Sequence, residues 1–208
     1  MYIMCFSKGL SALQMALDDG VLPNKTLGFI PTAGDTYKNP YFVDESRKRL
    51  KVHNIKLVEL DVTKDSKESL HSKLDSVDGL YIAGGNTFFL LYQLIQKDIY
   101  KLLIKKVQMG LPYFGESAGA VLLAKSIEPA KAIDNPEDAP LLESYNGLNL
   151  INFFPLPYAD RDKYKLPFTK LIKEYKEKID IIQFTDVQAI ITKDGSSYEI
   201  LNSAIETI

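Results

Sequence analysis

From its start to Gly115 the chain alternates short apolar runs with amphipathic stretches, and few folds accommodate that rhythm. TLGFIPTAG (Thr26 to Gly34), IKLVELDV (Ile55 to Val62), GLYIAGG (Gly79 to Gly85) and LPYFG (Leu111 to Gly115) are too apolar for strands with one wet face. Continuous apolar runs of this length read as strands buried on both sides. Each follows a stretch with helical spacing: SALQMALDD, FVDESRKRLKV, KESLHSKLDS and NTFFLLYQLIQKDIYKLLIKKVQ. Strand and helix in alternation predict a three-layer α/β/α fold around a mostly parallel central sheet.

The helix starts carry their own signals. Asp65 with Glu68 forms a candidate capping box, and Asn86 is a candidate cap for the helix that follows GG. After Lys125 the pattern loosens into AKAIDNPEDAPLLESYNG, which reads as a long loop over the sheet, a common home of function. NLINFFPLP resumes as a strand, a helix is expected around Leu166 to Lys178, and IIQFT, QAIIT and SYEIL follow as strands with a hairpin-like turn at Asp194-Gly195. At 208 residues the expectation is one domain, 1–208.

Composition narrows the function classes. With 25 basic and 27 acidic residues the net charge is −2, which leaves no electrostatic footprint for nucleic acid. The one cysteine, Cys5, excludes an internal disulfide and a Cys-rich metal site. The first residues lack a signal-peptide pattern and no segment has the apolar length of a membrane span, so the chain reads as cytoplasmic.

Chemistry concentrates at GESAGA, Gly115 to Ala120. Gly115-Glu116-Ser117-Ala118-Gly119 fits G-x-S-x-G, the strand–turn–helix elbow that projects a serine above a sheet. LPYF before it and AGAVLLAKS after it supply that strand and helix. The Ala118 N–H then faces a developing oxyanion with a helix dipole behind it, and Gly84-Gly85-Asn86 at the next strand end is the natural second donor. A plain turn with a capping serine, or a strand–helix turn with an Asn cap, would satisfy the same residues.

IAGGNTFFLLYQL followed by YFGESAGAV resembles the peptidase E family of serine peptidases, which includes aspartyl dipeptidases and is related to cyanophycinase. FIPTA and FTDVQAI carry the likeness over most of the chain. The resemblance implies a class I glutamine amidotransferase-like fold with flavodoxin-like topology, and activity without metal or organic cofactor. It implies Ser117 as nucleophile, Gly85 and Ala118 as oxyanion hole, and Asp134 as the catalytic-site acidic residue that orients the histidine in the family. Asp186 falls on a family-like position to which no role is assigned.

The chain departs from that pattern at the base. No histidine follows Ser117; where the family has its histidine, LPYAD places Tyr158. A tyrosine with a reference pKa of ~10 is a feeble base. His53 reads as a helix end and His71 as a surface position. Asn86, Glu116 and Arg161 are candidate substrate-binding residues, though Arg161, Lys163 and Lys165 equally form a solvated cluster. Two readings follow: a serine hydrolase acting on short peptides, or an impaired relative that binds a small acidic or peptide-like ligand. FFLLYQLIQ is apolar enough to permit a homodimer, and buried packing explains it equally well.

Overall fold

A computed structural model describes residues 1–8, 10 and 12–202. Nine strands are described: β1 Ile3–Phe6, β2 Thr26–Ile30, β3 Lys56–Glu59, β4 Gly79–Ile82, β5 Tyr113–Glu116, β6 Phe153–Leu156, β7 Asp180–Gln183, β8 Gln188–Thr192 and β9 Glu199–Asn202. Seven of them form one sheet in the order β3-β2-β4-β5-β1-β8-β9, while β6 and β7 pair in parallel as a separate two-stranded sheet. β3, β2, β4, β5 and β1 are mutually parallel; β8 runs antiparallel to β1, and β9 to β8.

Successive residues of the central strands point to opposite cores, as the pleat requires. Ile3, Cys5, Ile82 and Tyr113 enter one cluster, which also takes Leu70 and Leu74 of helix α3 (Lys67–Asp75), Leu90 and Leu94 of α4 (Thr87–Gln96), and Leu103 and Val107 of α5 (Tyr100–Gln108). Met4, Phe6, Tyr81 and Phe114 enter the other, beneath α1 (Leu13–Asp18) and α2 (Tyr41–Val52). Burial on both faces is why these strands read as unbroken apolar runs. The mixed α/β fold with a mostly parallel sheet is the one the alternation predicts.

Several local expectations are corrected. The run beginning MYIMCF forms β1, a fully buried central strand that stands outside the helix–strand pairs from which the alternation is read. The helix of residues 67–75 is capped by Ser66, whose side chain accepts the Ser69 N–H at 3.2 Å. Asp65 instead turns back to the Asp61 N–H and Lys73. The long apolar helix after GG breaks at Asp98, where φ is +54°, into α4 and α5. The helix after the serine, α6, is a single turn, Ala118–Val121. IIQFT contributes β7 to the small sheet and so takes no part in the β8–β9 hairpin, whose turn is held by Asp194 accepting the Ser196 and Ser197 N–H groups. Ser11, at the start of SALQMALDD, lies outside the described residues.

Candidate active site

Because β1, β2, β4 and β5 are parallel, their carboxyl ends gather at one edge of the sheet, where α/β folds place their ligands. A cleft of about 260 Å³ opens there. Lys8 reaches it from after β1, Tyr37 and Asn39 from after β2, Gly84 and Gly85 from after β4, and Ser117 from the end of β5. The remaining lining includes Asp134 of the long loop and Tyr158, Arg161, Lys163 and Tyr164 from the segment after β6.

Ser117 has φ +49° and ψ −105°, a conformation that a non-glycine residue holds only when its surroundings impose it. They do so through three main-chain bonds. Its N–H donates to the Phe6 carbonyl at 2.8 Å, and its carbonyl accepts from Ala120 and Val121 at 2.9 Å. Small residues make the reversal fit: a Cβ on Gly115 would strike the Gly119 carbonyl, and one on Gly119 the Ile82 carbonyl. Ser117 is 5% exposed, with its remaining access through the cleft.

The glycine turn opposite is as constrained. Gly85 has φ +143°, and a Cβ there would run into the Ala33 carbonyl. A Cβ on Gly84 would lie 3.2 Å from the Ser117 Cβ, so the turn presses against the serine. Among the hydrogen bonds of the described residues, neither the Gly85 nor the Ala118 N–H is spent on a main-chain acceptor. α6 being one turn long, whatever electrostatics Ala118 offers are those of its own N–H rather than of a long helix dipole.

Two candidate binding residues prove to be scaffolding. The Asn86 side chain accepts the Phe89 N–H at 3.0 Å as the cap of α4, and its amide donates to the Asn135 carbonyl and to Asp138, both at 2.8 Å. The capping alternative holds for it. Glu116 borders the cleft, but its carboxylate is turned to the α2 side, where Ser46 and Tyr81 donate to Oε2 and Arg49 stands 3.5 Å from Oε1. Side-chain alternation along β5 sends residue 116 to the face opposite Gly115. Burial raises the Glu116 pKa against the pull of Ser46, Tyr81 and Arg49.

Asp134 does enter the cleft, yet its Oδ2 accepts the Thr87 N–H at 2.9 Å and the Thr87 hydroxyl at 2.6 Å. It thus clamps the long loop to the start of α4. Burial pushes its pKa up to about 6, and the Thr87 hydrogen bonds only partly offset this.

Tyr158 sits beside the serine with φ +70°, a second forced backbone. Its phenol is pushed well above the ordinary tyrosine range, first by burial, while hydrogen bonding with the Ser117 side chain pulls the other way. Asp186 holds it from two directions. Oδ1 accepts from the Ser7 hydroxyl at 2.6 Å, and that hydroxyl takes the Tyr158 N–H at 3.0 Å. Oδ2 accepts from Arg161 Nε at 2.8 Å and pairs with Nη2 at 2.7 Å, and the guanidinium lies 4.1 Å over the Tyr158 ring. Sequence reading left Asp186 without a role and missed Ser7, since these partners lie 179 and 151 positions apart along the chain. Arg161 is therefore an ion-paired wall of the cleft rather than a free cation. His53 ends α2 with Nδ1 3.3 Å from Gln14, and neither it nor His71 lines the cleft.

Residues 7–200 match the model of peptidase family S51. An uncharacterized peptidase of Listeria innocua is 34% identical over 173 residues, covering 83% of each chain. A peptidase E of Shewanella denitrificans is 32% identical over 127 residues, 60% of this chain and 50% of that protein. Among solved structures, a candidate peptidase E protein from Listeria monocytogenes superposes with a TM-score of 0.87 at 28% identity, covering 98% of both chains.

Proposed function

The chain belongs to peptidase family S51, and on that premise we propose that it is a serine-type hydrolase of short peptides in which Ser117 is the nucleophile. The observation that carries the reading is the forced elbow: φ +49° at Ser117, directly against Gly84 and open to the cleft. The Ser117 oxygen attacks the scissile carbonyl carbon, and the carbonyl oxygen takes up the electron pair. The Gly85 and Ala118 N–H groups then hold the oxyanion. The amine leaves with a proton and the acyl group stays on Ser117. Water then cleaves the ester, restoring the serine hydroxyl and releasing the acid.

Tyr158 sets the rate. With its pKa raised by burial, the phenol stays neutral at pH 7 and does not serve as a standing base. It acts instead as a relay, taking the serine proton as it gives its own to the departing amine, so no phenolate accumulates. Turnover by such a relay is slow. Where a triad loses its base, an oxyanion hole and binding still give roughly 10³-fold over water.

The same raised phenol favours a second reading, a member that binds peptide-like ligands without turning them over. A fluorophosphonate probe separates the two. Covalent labelling confined to Ser117 and abolished by Ser117→Ala supports the hydrolase; a folded protein that stays unlabelled through long exposure leaves only the binding reading.

A further inference from the structure

Aromatic rings crowd the mouth of the Ser117 cleft. Among the described residues only three aromatic side chains are largely exposed, Tyr37 at 46%, Tyr41 at 58% and Tyr198 at 38%, and the first two border this cleft. Exposed aromatic area without a partner is costly to leave in water and marks a surface built to be covered. Tyr37 and Tyr41 are not loose. Each packs edge-on against Phe42, with ring centroids 5.2 and 5.9 Å apart. Phe42 is anchored in α2, so this wall has a fixed shape.

A second aromatic wall belongs to the segment after β6. Tyr164 stacks on Tyr158 at 5.4 Å and on Phe168 at 5.3 Å, a pile of three rings ending beside Ser117. The two walls are near enough that Tyr164 and Asp134 act electrostatically on Tyr37, yet among the described residues Tyr37 and Tyr164 form no ring pair. Between them lies open space leading to the nucleophile.

Charge points the same way. Asp186 already pairs with Arg161, so the guanidinium nearest the phenol is not free to grip a substrate carboxylate. Lys163 sits 4.6 Å over the Tyr164 ring, and Lys8 is exposed at the rim. Exposed ammonium groups are well hydrated and gain little from an ion pair. Covering two ring walls, by contrast, removes apolar area from water.

We propose that the cleft between Tyr37–Tyr41 and Tyr164 is a specificity subsite that takes an aromatic side chain of a short peptide, next to the carbonyl that Ser117 faces. This rests on the assignment of Ser117 as nucleophile. A phenyl ring enters between the walls against Tyr37 and the edge of Tyr164, whose faces are taken by Tyr158 and Phe168, and an aspartyl side chain finds no free guanidinium there.

The test is binding of two dipeptides, Phe-Leu and Asp-Leu, to the Ser117→Ala protein by titration calorimetry. The expected result is Phe-Leu tighter by about tenfold, the upper end of what one aromatic contact provides. Tyr37→Ala should erase most of that preference, and Tyr37→Phe, which keeps the ring, should retain it. Equal affinities, tighter binding of Asp-Leu, binding of neither, or a preference untouched by Tyr37→Ala each overturn the subsite. A fluorophosphonate without a side chain, applied to the wild-type protein, reads the nucleophile separately. Labelling of Ser117 together with no aromatic preference sinks the subsite alone, and absence of labelling sinks the nucleophile.

Discussion

The two sides of the Ser117 cleft are built by different means. One side is main chain: Gly84, Gly85, Ser117 and Ala118 stand at the ends of neighbouring parallel strands, locked by Gly85, Gly115 and Gly119, where a Cβ would strike backbone. The other side is side chain: Tyr158, Arg161 and Tyr164 come from the segment after β6, held by Asp186 and Ser7 from distant parts of the sequence. A main-chain oxyanion site depends on backbone path alone and tolerates change around it. A side-chain apparatus is rewritten by single substitutions. Tyr158 stands on that second side.

The sharpest break in that contrast is Gly85→Ala. A methyl at φ +143° against the Ala33 carbonyl cannot be absorbed by side-chain movement, and a loss above about 4 kcal/mol is expected in urea unfolding. A variant within 1 kcal/mol of wild type would show that the glycine turn is as replaceable as the other side. Tyr158→His is the converse probe. It should cost about 1 kcal/mol of ring packing against Tyr164 and Arg161 and raise fluorophosphonate labelling of Ser117 by about 10²-fold, the lower range for acid–base assistance. An unaltered rate would mean that position 158 never held the proton.

Smaller effects test the supports. Asp134 has its pKa raised to about 6 in the fold, above the ordinary 3.8. The native state therefore binds this proton more tightly than the unfolded chain. The stabilisation is complete below about pH 4 and is lost as pH rises through about 6. With the side chain part-exposed, the loss should amount to about 2 kcal/mol. Measured against Asp134→Asn, wild-type stability should fall between those pH values; parallel curves would remove Asp134 from the account. Asp186→Asn leaves the Arg161 guanidinium half-paired and should cost about 1 to 2 kcal/mol. It should also slow fluorophosphonate labelling of Ser117, and that defect should vanish in a Tyr158→Phe background, because Asp186 reaches the site through Ser7, Arg161 and Tyr158.

Sequence reading reached the first side of the cleft, and on the second it named Tyr158 and Arg161 but not the partners that hold them. G-x-S-x-G and the GG pair announce themselves because a reversal within five residues needs small side chains at fixed offsets, and the Asn86 cap follows the same local logic. Position 158 was legible only as a vacancy in a family pattern. That Glu116 would turn to Ser46, Tyr81 and Arg49, and that Asn86 would spend its amide on the loop of residues 135–138, depended on which elements lie over each strand end. β1 was missed for a related reason: MYIMCF stands outside the helix–strand pairs from which the alternation is read.

Hydrophobic spacing and glycine placement, both short-range properties, were enough to determine the layered α/β fold and the sharp turn at Ser117. Tertiary structure alone decided what surrounds the serine, because Ser7, Tyr158 and Asp186 meet only after the sheet has ordered β1 beside β5 and β8. Backbone conformation is governed by neighbours along the chain, whereas ion pairs, ring stacks and pKa shifts are governed by neighbours in space.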